Sequence, residues 1–462
     1  MSKREFIPIK LTPLGGLYEF GNQSYLYQIG DSAVLVDAGS YFSSSDPGKA
    51  NTRFLPDFSR LKEIKKLDAI FITHTHEDHL GGITYLLKNF PETPIYCTPY
   101  VGDNILVRVN VEGLKIPHLR SRIKRIKQNT LIPVQKDFNV EFIPTDHSVP
   151  DASMIYMATS AGNILHTGDW RAGETEKSRL FWKRLMELRK FGMLAVVADS
   201  TGVDNNREDL CSESQIYDGL DQVVARNIDS YDNFVFSTFS THVDRVASIC
   251  KLAYKYEQKA PSFLGTGMVV NQMVAFCRRM LPIRAIKSPE DISASNGFFI
   301  ATGSQAEPGS FLMKVARGRQ KLSRPTCIVI SASEIPSRKS KIHSMIEALK
   351  KQGHTIICND EENLTHMSGH ATCKDMGRLI ETVRPQIYIP VHGEKHHLEA
   401  AKELAEQHNV PEVVQFNNVG ETVSFGDRND TEQHQEFTYK KVSDHKMFNA
   451  YYVKNLKQHM HF

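Results

Sequence analysis

Nowhere in its 462 residues does this chain run 18 uncharged apolar residues together. It therefore offers no segment long enough to cross a membrane as a helix. The start, MSKREFIPIKL, has no long apolar core, which argues against a signal peptide. Cysteine pairing is missing too. The seven cysteines are odd in number, scattered, and contain no CxxC pair. They read as free thiols of a reducing compartment, so a cytoplasmic protein is expected. Nor is there an excess of one charge: 56 Lys and Arg against 53 Asp and Glu give +3, which neither demands nor excludes a nucleic-acid partner. Internal repeats and low-complexity tracts are absent. What remains is a globular composition, 40% hydrophobic and 24% charged, on a chain long enough for two or three domains.

Against that plain background one octapeptide stands out. Residues 73–80 read Thr-His-Thr-His-Glu-Asp-His-Leu, so His74, His76, Asp78 and His79 lie within six positions. Leu67 to Thr73 (LDAIFIT) is an apolar run that reads as a buried strand, which puts the cluster where a strand ends and a turn begins. Imidazole nitrogens and carboxylate oxygens together suit Zn²⁺, at bond lengths of about 2.0–2.2 Å. The competing reading is a polar loop with incidental histidines. The ligand chemistry of the motif favours metal binding.

The first ~60 residues read as strands and turns, with Ala33 to Asp37 (AVLVD) ending before Ala38-Gly39. A helix is expected at Ile83 to Asn89, and strands at Pro94 to Cys97, Val140 to Pro144 and Asn163 to His166. Alternating strands and helices predict an α/β layered fold. From about Ser200 the pattern changes. Phe234 to Ser237, Ser262 to Gly265, Phe298 to Thr302 and Cys327 to Ser331 are each followed by a helical segment, the signature of a doubly wound insert. Gln386 to Pro390 and the turn after it resume the earlier style, and residues 427–462 read as a polar extension. Basic residues bunch at Arg120 to Lys127, Lys314 to Arg324 and Arg338 to Lys341. Such runs are commonly solvated faces, and their value depends on whether they rim the metal site.

Candidates for more distant ligands appear where strands end in His or Asp: His147 after EFIPTD, Asp169 in ILHTGDW and His392 in YIPVHGE. A carboxylate such as Asp169 can bridge two cations while histidines cap each one.

In order along the chain stand PLGGLYEFGNQSYL, VLVDAG, FITHTHEDHLGG, HSVPDAS, HTGDW, VADSTG, ATGSQAEPGS, HMSGHA and PVHGE. Together they resemble the β-CASP branch of the metallo-β-lactamase superfamily, and within it the ribonuclease J group, from about residue 8 to about residue 425. The resemblance implies a metallo-β-lactamase αββα sandwich carrying an inserted doubly wound β-CASP domain. The hydrolase domain would occupy 1–202 and 363–425, the insert 203–362, and an extension 426–462. It further implies a first metal held by His74, His76, His147 and Asp169, and a second held by Asp78, His79, Asp169 and His392. Asp37 would be the buried acid supporting the histidine loop. Asp199, His370 and His392 would be the three β-CASP marker residues. The catalytic set would then be Asp78, Asp199 and His370, with Ser240, Thr241, His242, His366, Ser368 and Gly369 binding substrate. Two cations about 3.5–4 Å apart can activate a water and stabilise a displaced phosphate, while His370, spared from ligation, is free to protonate the leaving oxygen.

The implied function is a phosphodiesterase using two Zn²⁺, with Mn²⁺ the alternative ion, that cuts RNA as a 5′→3′ exonuclease, an endonuclease, or both. A DNA nuclease of the same branch is the nearest rival. A small-ester or thioester hydrolase and a non-catalytic scaffold stand further off, because a ~160-residue insert is excessive for a small substrate and every expected ligand is present. No membrane partner is expected. The further C-terminal domain usual in the group, which helps self-association, is not expected here, and a homodimer stays open. Three segments depart from the group's pattern: Thr238 to Arg245 (TFSTHVDR), Gly265-Thr266-Gly267, and Pro336-Ser337-Arg338-Lys339. In the first, Asp244 would repel a phosphate unless a cation such as Arg245 pairs with it.

Overall fold

Two sheets face one another across a core that neither could cover alone. In this computed structural model the described residues are 7–42, 53–173, 175–205, 212–257, 261–281, 297–322, 326–335 and 338–426, with the backbone of 440–443 and 452–453. They divide between two compact units. One draws on Met1–His147, Asp151–Glu208 and Gly369–Phe462, the other on Ser148–Pro150 and Asp209–Ser368. The second begins and ends a few residues after the insert bounds expected from sequence. Pro336 and Ser337 and most of 427–462 lie outside the described residues.

In the first unit an eight-stranded and a seven-stranded sheet each combine an antiparallel and a parallel part. Ser32–Val36, Ala69–Phe71, Ile95–Cys97 and Ile123–Arg125 run parallel in the first sheet. In the second, Gly162–His166, Ala195–Asp199 and Ile387–Val391 do so. The inner strands Ala69–Phe71 and Ile387–Val391 are apolar along their whole length because both faces are covered. Val34, Val36, Phe71, Val197 and Ile389 point into the core between the sheets. Their chain neighbours Leu35 and Ile70 turn the other way onto Leu86, Leu87, Val101 and Ile105 of the outer helices. On the far side, Leu165, Val196 and Tyr388 turn onto Phe181, Leu185, Leu379 and Leu404. The period-two alternation thus builds helix, sheet, sheet and helix in four layers.

The second unit is a five-stranded, wholly parallel sheet. The chain enters at the central strand Asn233–Ser237, fills one side with Ser262–Leu264 and Gly297–Ala301, and then the other with Thr326–Ile330 and Thr355–Ile357. This is the doubly wound pattern that the sequence predicts. One face packs Val235, Phe299, Ile328 and Ile330 against Leu312, Val315, Ile342 and Leu349. None of the described helices is long and apolar enough to cross a membrane.

Candidate metal centre

Every candidate ligand follows the C-terminal end of a strand. His74 and His76 come after Ala69–Phe71, with Asp78 and His79 on the single helical turn Glu77–Leu80 that the loop enters. His147 follows Phe138–Pro144, Asp169 follows Gly162–His166, and His392 follows Ile387–Val391. Strand ends of a packed sheet hold a side chain more rigidly than free loops do. Two backbones are held in the left-handed region usually left to glycine: Asp37 at φ 62° and His392 at φ 55°. Such conformations persist only where the surroundings over-determine them.

The side chains converge as two sets of four that share Asp169: His74, His76, His147 and Asp169, and Asp78, His79, Asp169 and His392. In the first set His76 Nδ1 lies 3.1 Å from His74 Nε2 and 3.0 Å from His147 Nε2. Asp169 Oδ2 lies 3.5 Å from His74 Nε2 and 3.6 Å from His147 Nε2. In the second, His79 Nε2 is 3.0 Å from Asp169 Oδ1 and 3.7 Å from Asp78 Oδ2, and His392 Nε2 is 3.4 Å and 3.3 Å from the same two carboxylates. Four atoms about 2.0–2.1 Å from a common centre stand about 3.3–3.4 Å apart on tetrahedral edges. The separations given for the two sets, 3.0–3.7 Å, bracket that length. The buried atoms His79 Nε2 and Asp169 Oδ1 meet as an ionic contact at 3.0 Å rather than a well-directed hydrogen bond, a contact that a shared cation would replace.

Hydrogen bonds on the opposite ring nitrogens fix which nitrogen faces inward. Nδ1 of His79 donates to Asp37 Oδ2 (2.6 Å), that of His74 to Thr73 Oγ1 (3.0 Å), and that of His147 to the Gly369 carbonyl (2.7 Å). Nδ1 of His392 donates to Thr201 Oγ1 (2.5 Å). With protons held there, each Nε2 presents a lone pair, as metal ligation requires. Asp37 is fully buried and also accepts from the Thr73 amide and hydroxyl, both at 2.8 Å, so it ties the whole loop.

Charge follows the same division. Burial pushes His74 and His147 well below the ordinary imidazole range and His76 to about 4, so these rings are neutral. Burial alone would lower His79 too. The carboxylates of Asp169, Asp78 and Asp37 outweigh it and hold that ring well up. Without a metal, a proton is the positive charge that these carboxylates require. A divalent cation would take its place.

His370 stands beside the sets rather than in them. Its Nδ1 donates to Asp199 Oδ2 at 2.8 Å, and its Nε2 is 3.9 Å from Asp169 Oδ2. Against the lowering effect of burial, Asp199 and then Asp169 push it up to about 9. Thr73, Thr201 and the Gly369 carbonyl are functional groups that the sequence reading did not single out for orienting ligands.

The substrate candidates divide. Gly369 belongs to the first unit, and Ser240, Thr241, His242, His366 and Ser368 to the second. His242 and His366 have rings 6.4 Å apart beside a buried network. There Arg245, fully enclosed, is bonded to Glu213, to Ser331 and to the Thr365 carbonyl. Ser240 is engaged elsewhere, accepting from Asn271 Nδ2 at 2.9 Å. It precedes the helix Val243–Glu257, so it and Asp244 do not share a helical face. Arg245 is bound to Glu213 at 2.8 Å.

A model of the metallo-beta-lactamase superfamily matches residues 17–191. Models of the ribonuclease J beta-CASP domain and of the Zn-dependent metallo-hydrolase RNA specificity domain match 232–349 and 354–414. Ribonuclease J of Sinorhizobium meliloti is 32% identical over 431 residues, covering 88% of this chain and 72% of that protein. The chain belongs to the ribonuclease J family. The family's Synechocystis member is 29% identical over 435 residues (91% of this chain, 66% of that protein), and a Helicobacter pylori member 30% over 417 (87% and 58%). The chain thus spans about three-fifths to two-thirds of the length of those two relatives. A crystallised Enterococcus faecalis protein of unknown function shares the fold, with TM-score 0.60 and 17% identity over 90% of this chain and 100% of that one. The fold is therefore the metallo-β-lactamase fold with a β-CASP domain, and the family implies a divalent metal.

Proposed function

We propose that this ribonuclease J relative is a two-metal phosphodiesterase that hydrolyses RNA, as a 5′→3′ exonuclease, an endonuclease, or both. The observation that carries the reading is the pair of four-residue donor sets sharing Asp169. Zn²⁺ suits those nitrogen and oxygen donors, with Mn²⁺ the alternative. His74, His76, His147 and Asp169 would hold one ion, and Asp78, His79, Asp169 and His392 the other. Bound there, the ions supply an activated water and offset charge on the phosphate.

The chain's own residues supply the rest. Five imidazoles and two carboxylates leave two divalent cations with net positive charge, which favours a phosphodiester over a neutral ester. His370 Nδ1 donates to Asp199, and Asp199 and then Asp169 raise the ring's pKa against burial, so the imidazolium also carries a proton on Nε2, the atom turned toward Asp169. We assign His370 to donate that proton to the leaving oxygen. Divalent cations bound nearby would oppose the upward shift of its pKa. Ser240, Thr241, His242, His366, Ser368 and Gly369 remain the substrate-binding candidates. The scattered free thiols support a cytoplasmic location.

The test offers the purified protein 5′-monophosphorylated, 5′-triphosphorylated and circular RNA beside matched DNA, with the products sized. Cleavage of RNA, lost in His76→Ala and Asp78→Ala, is expected. Cleavage of DNA alone, or RNA cleavage that survives both substitutions, overturns the reading.

A further inference from the structure

Between Glu112 and Asp137 the chain carries no acidic residue. In that interval stand Lys115, His118, Arg120, Arg122, Lys124, Arg125, Lys127 and Lys136. One of them turns inward. Arg122 is buried and donates to the carbonyls of Leu87, Phe90 and Thr93, closing the end of the helix Ile83–Asn89 and pinning the segment in place. Arg125 pairs with Asp103 at 2.7 Å. Lys115, Arg120, Lys124 and Lys127 are exposed and have no carboxylate partner among the described residues.

The sheet fixes where these cations lie relative to the metal loop. Ile123–Arg125 is the edge strand, parallel to Ile95–Cys97, which is parallel in turn to Ala69–Phe71. Phe71, Tyr96 and Lys124 form one row across the three strands. Neighbouring strands are about 4.8 Å apart, so along that row Phe71 and Lys124 stand roughly 10 Å apart. His74 and Lys127 each come three residues later, just past the ends of their strands. The ladder continues beyond the strands, with the Ile72 amide donating to the Tyr96 carbonyl and the Ile126 amide to Cys97. Gln128 then bonds Ser153 Oγ at 2.7 Å, and the Ser153 amide donates to the Thr73 carbonyl at 3.1 Å. The basic edge is thus tied to the residue preceding the first histidine.

We infer that this edge, Arg120, Lys124 and Lys127 with Lys115 beyond, is an accessory track for the phosphate backbone of single-stranded RNA on its way to or from the metal centre. The inference rests on the ribonuclease reading and adds the surface that holds the strand outside the reacting phosphate. Lysines on an edge strand also discourage sheet-to-sheet pairing. That role needs only the strand itself, whereas here positive charge continues before and after it. Sequence-independent phosphate contacts of this kind contribute affinity that falls with salt, about 0.7 in the log–log slope per contact on a single strand.

The metal-loaded full chain is compared with Lys124→Gln/Lys127→Gln, which keeps the edge polar, and with Lys183→Gln/Lys190→Gln, an equal charge change on and just after the helix Glu176–Arg189. Binding of a long unstructured RNA is followed by anisotropy across a salt series. Hydrolysis of that RNA and of bis(p-nitrophenyl) phosphate is measured alongside. For the edge variant we expect a salt slope shallower by about 1.4, two lost contacts. Its KM for long RNA should rise roughly tenfold at low salt, with unchanged turnover of the small diester and an unchanged Tm. The helix variant should behave as the parent. Equal slopes and KM in the edge variant and the parent overturn the inference, as does an equal loss in the helix variant. Failure of the ribonuclease reading shows separately, as a parent that binds RNA without cutting it.

Discussion

His370 differs from the histidines around it in what holds it. The ligand rings His74, His79, His147 and His392 give Nδ1 to a support and turn Nε2 to the centre of a donor set. His370 gives Nδ1 to Asp199, but its Nε2 is 3.9 Å from Asp169, at the margin of the sets. Removing it should leave the sets intact. We expect His370→Ala to retain its metal by elemental analysis while losing about 10²–10⁴-fold in RNA cleavage, the usual worth of general acid–base help. A variant that loses a metal would make His370 a ligand instead. Asp37 shows the converse case, a carboxylate that belongs to neither donor set yet orients His79 and anchors Thr73. Its importance was legible through the VLVDAG motif. The roles of Thr73 and Thr201 were not, because a hydroxyl that accepts from an imidazole leaves no spacing signature. The Gly369 carbonyl was less legible still, since any residue supplies a carbonyl.

At the scale of elements, the histidine loop is held by a second loop rather than by its own strand. The amide of Gln23 donates to the Asp78 carbonyl, that of Ala38 to His79, and that of Gly82 to Ala38. Gly39 lies inside this mesh, where an added Cβ would fall 1.7 Å from the Asp78 carbonyl oxygen and 2.5 Å from the Gln23 amide. Neither backbone atom can yield without moving a ligand. Gly39→Ala should therefore lower stability by about 1–3 kcal/mol, as overpacking does. It should cost on the order of 10² in hydrolysis if the ligands shift by about 1 Å. Thermal unfolding and a metal count on one preparation would check this. Full stability with full activity would mean the mesh is looser than it looks. Continuous apolar strands ending in His or Asp announced the layered fold and the ligand positions together, because burial on both faces and ligation at strand ends leave marks on side chains. The insert was legible as a doubly wound sheet for the same reason. Its interior was less so. Arg245 read as a cation that could pair with Asp244, and only three-dimensional packing reveals Glu213, Ser331 and the Thr365 carbonyl closing around it. Ser240 stands before a helix that begins only at Val243.

For the molecule as a whole, the donor sets join positions from His74 to His392, so bound cations clip together segments brought from both ends of the chain. Anything that binds the folded state alone stabilises it, by about 2.7 kcal/mol at a hundredfold excess over Kd. At roughly 2–4 °C per kcal/mol for a unit of this size, a chelator should lower Tm by about 5–10 °C. The sign of the pH effect follows from the protons displaced. In the metal-free protein His79 and His392 have folded pKa values raised above the ordinary imidazole range by Asp169 and its neighbours. Those two protonated rings contribute stability below about pH 6.5, which is lost as pH rises through their folded values. His76 behaves oppositely: with its folded value lowered to about 4, its burial destabilises the fold as pH falls from about 6.5 toward 4. A bound metal requires all these nitrogens free of protons. It must expel those on His79 and His392, and it competes with protons less as pH rises. The Tm gain from metal, measured as loaded minus chelated protein, should therefore grow from pH 5 to pH 8 and be small at the acid end. Elemental analysis at the upper end should find close to two ions per chain. A gain independent of pH, or a count of one in fully folded protein, would rule out the pair of histidine-rich sites sharing Asp169.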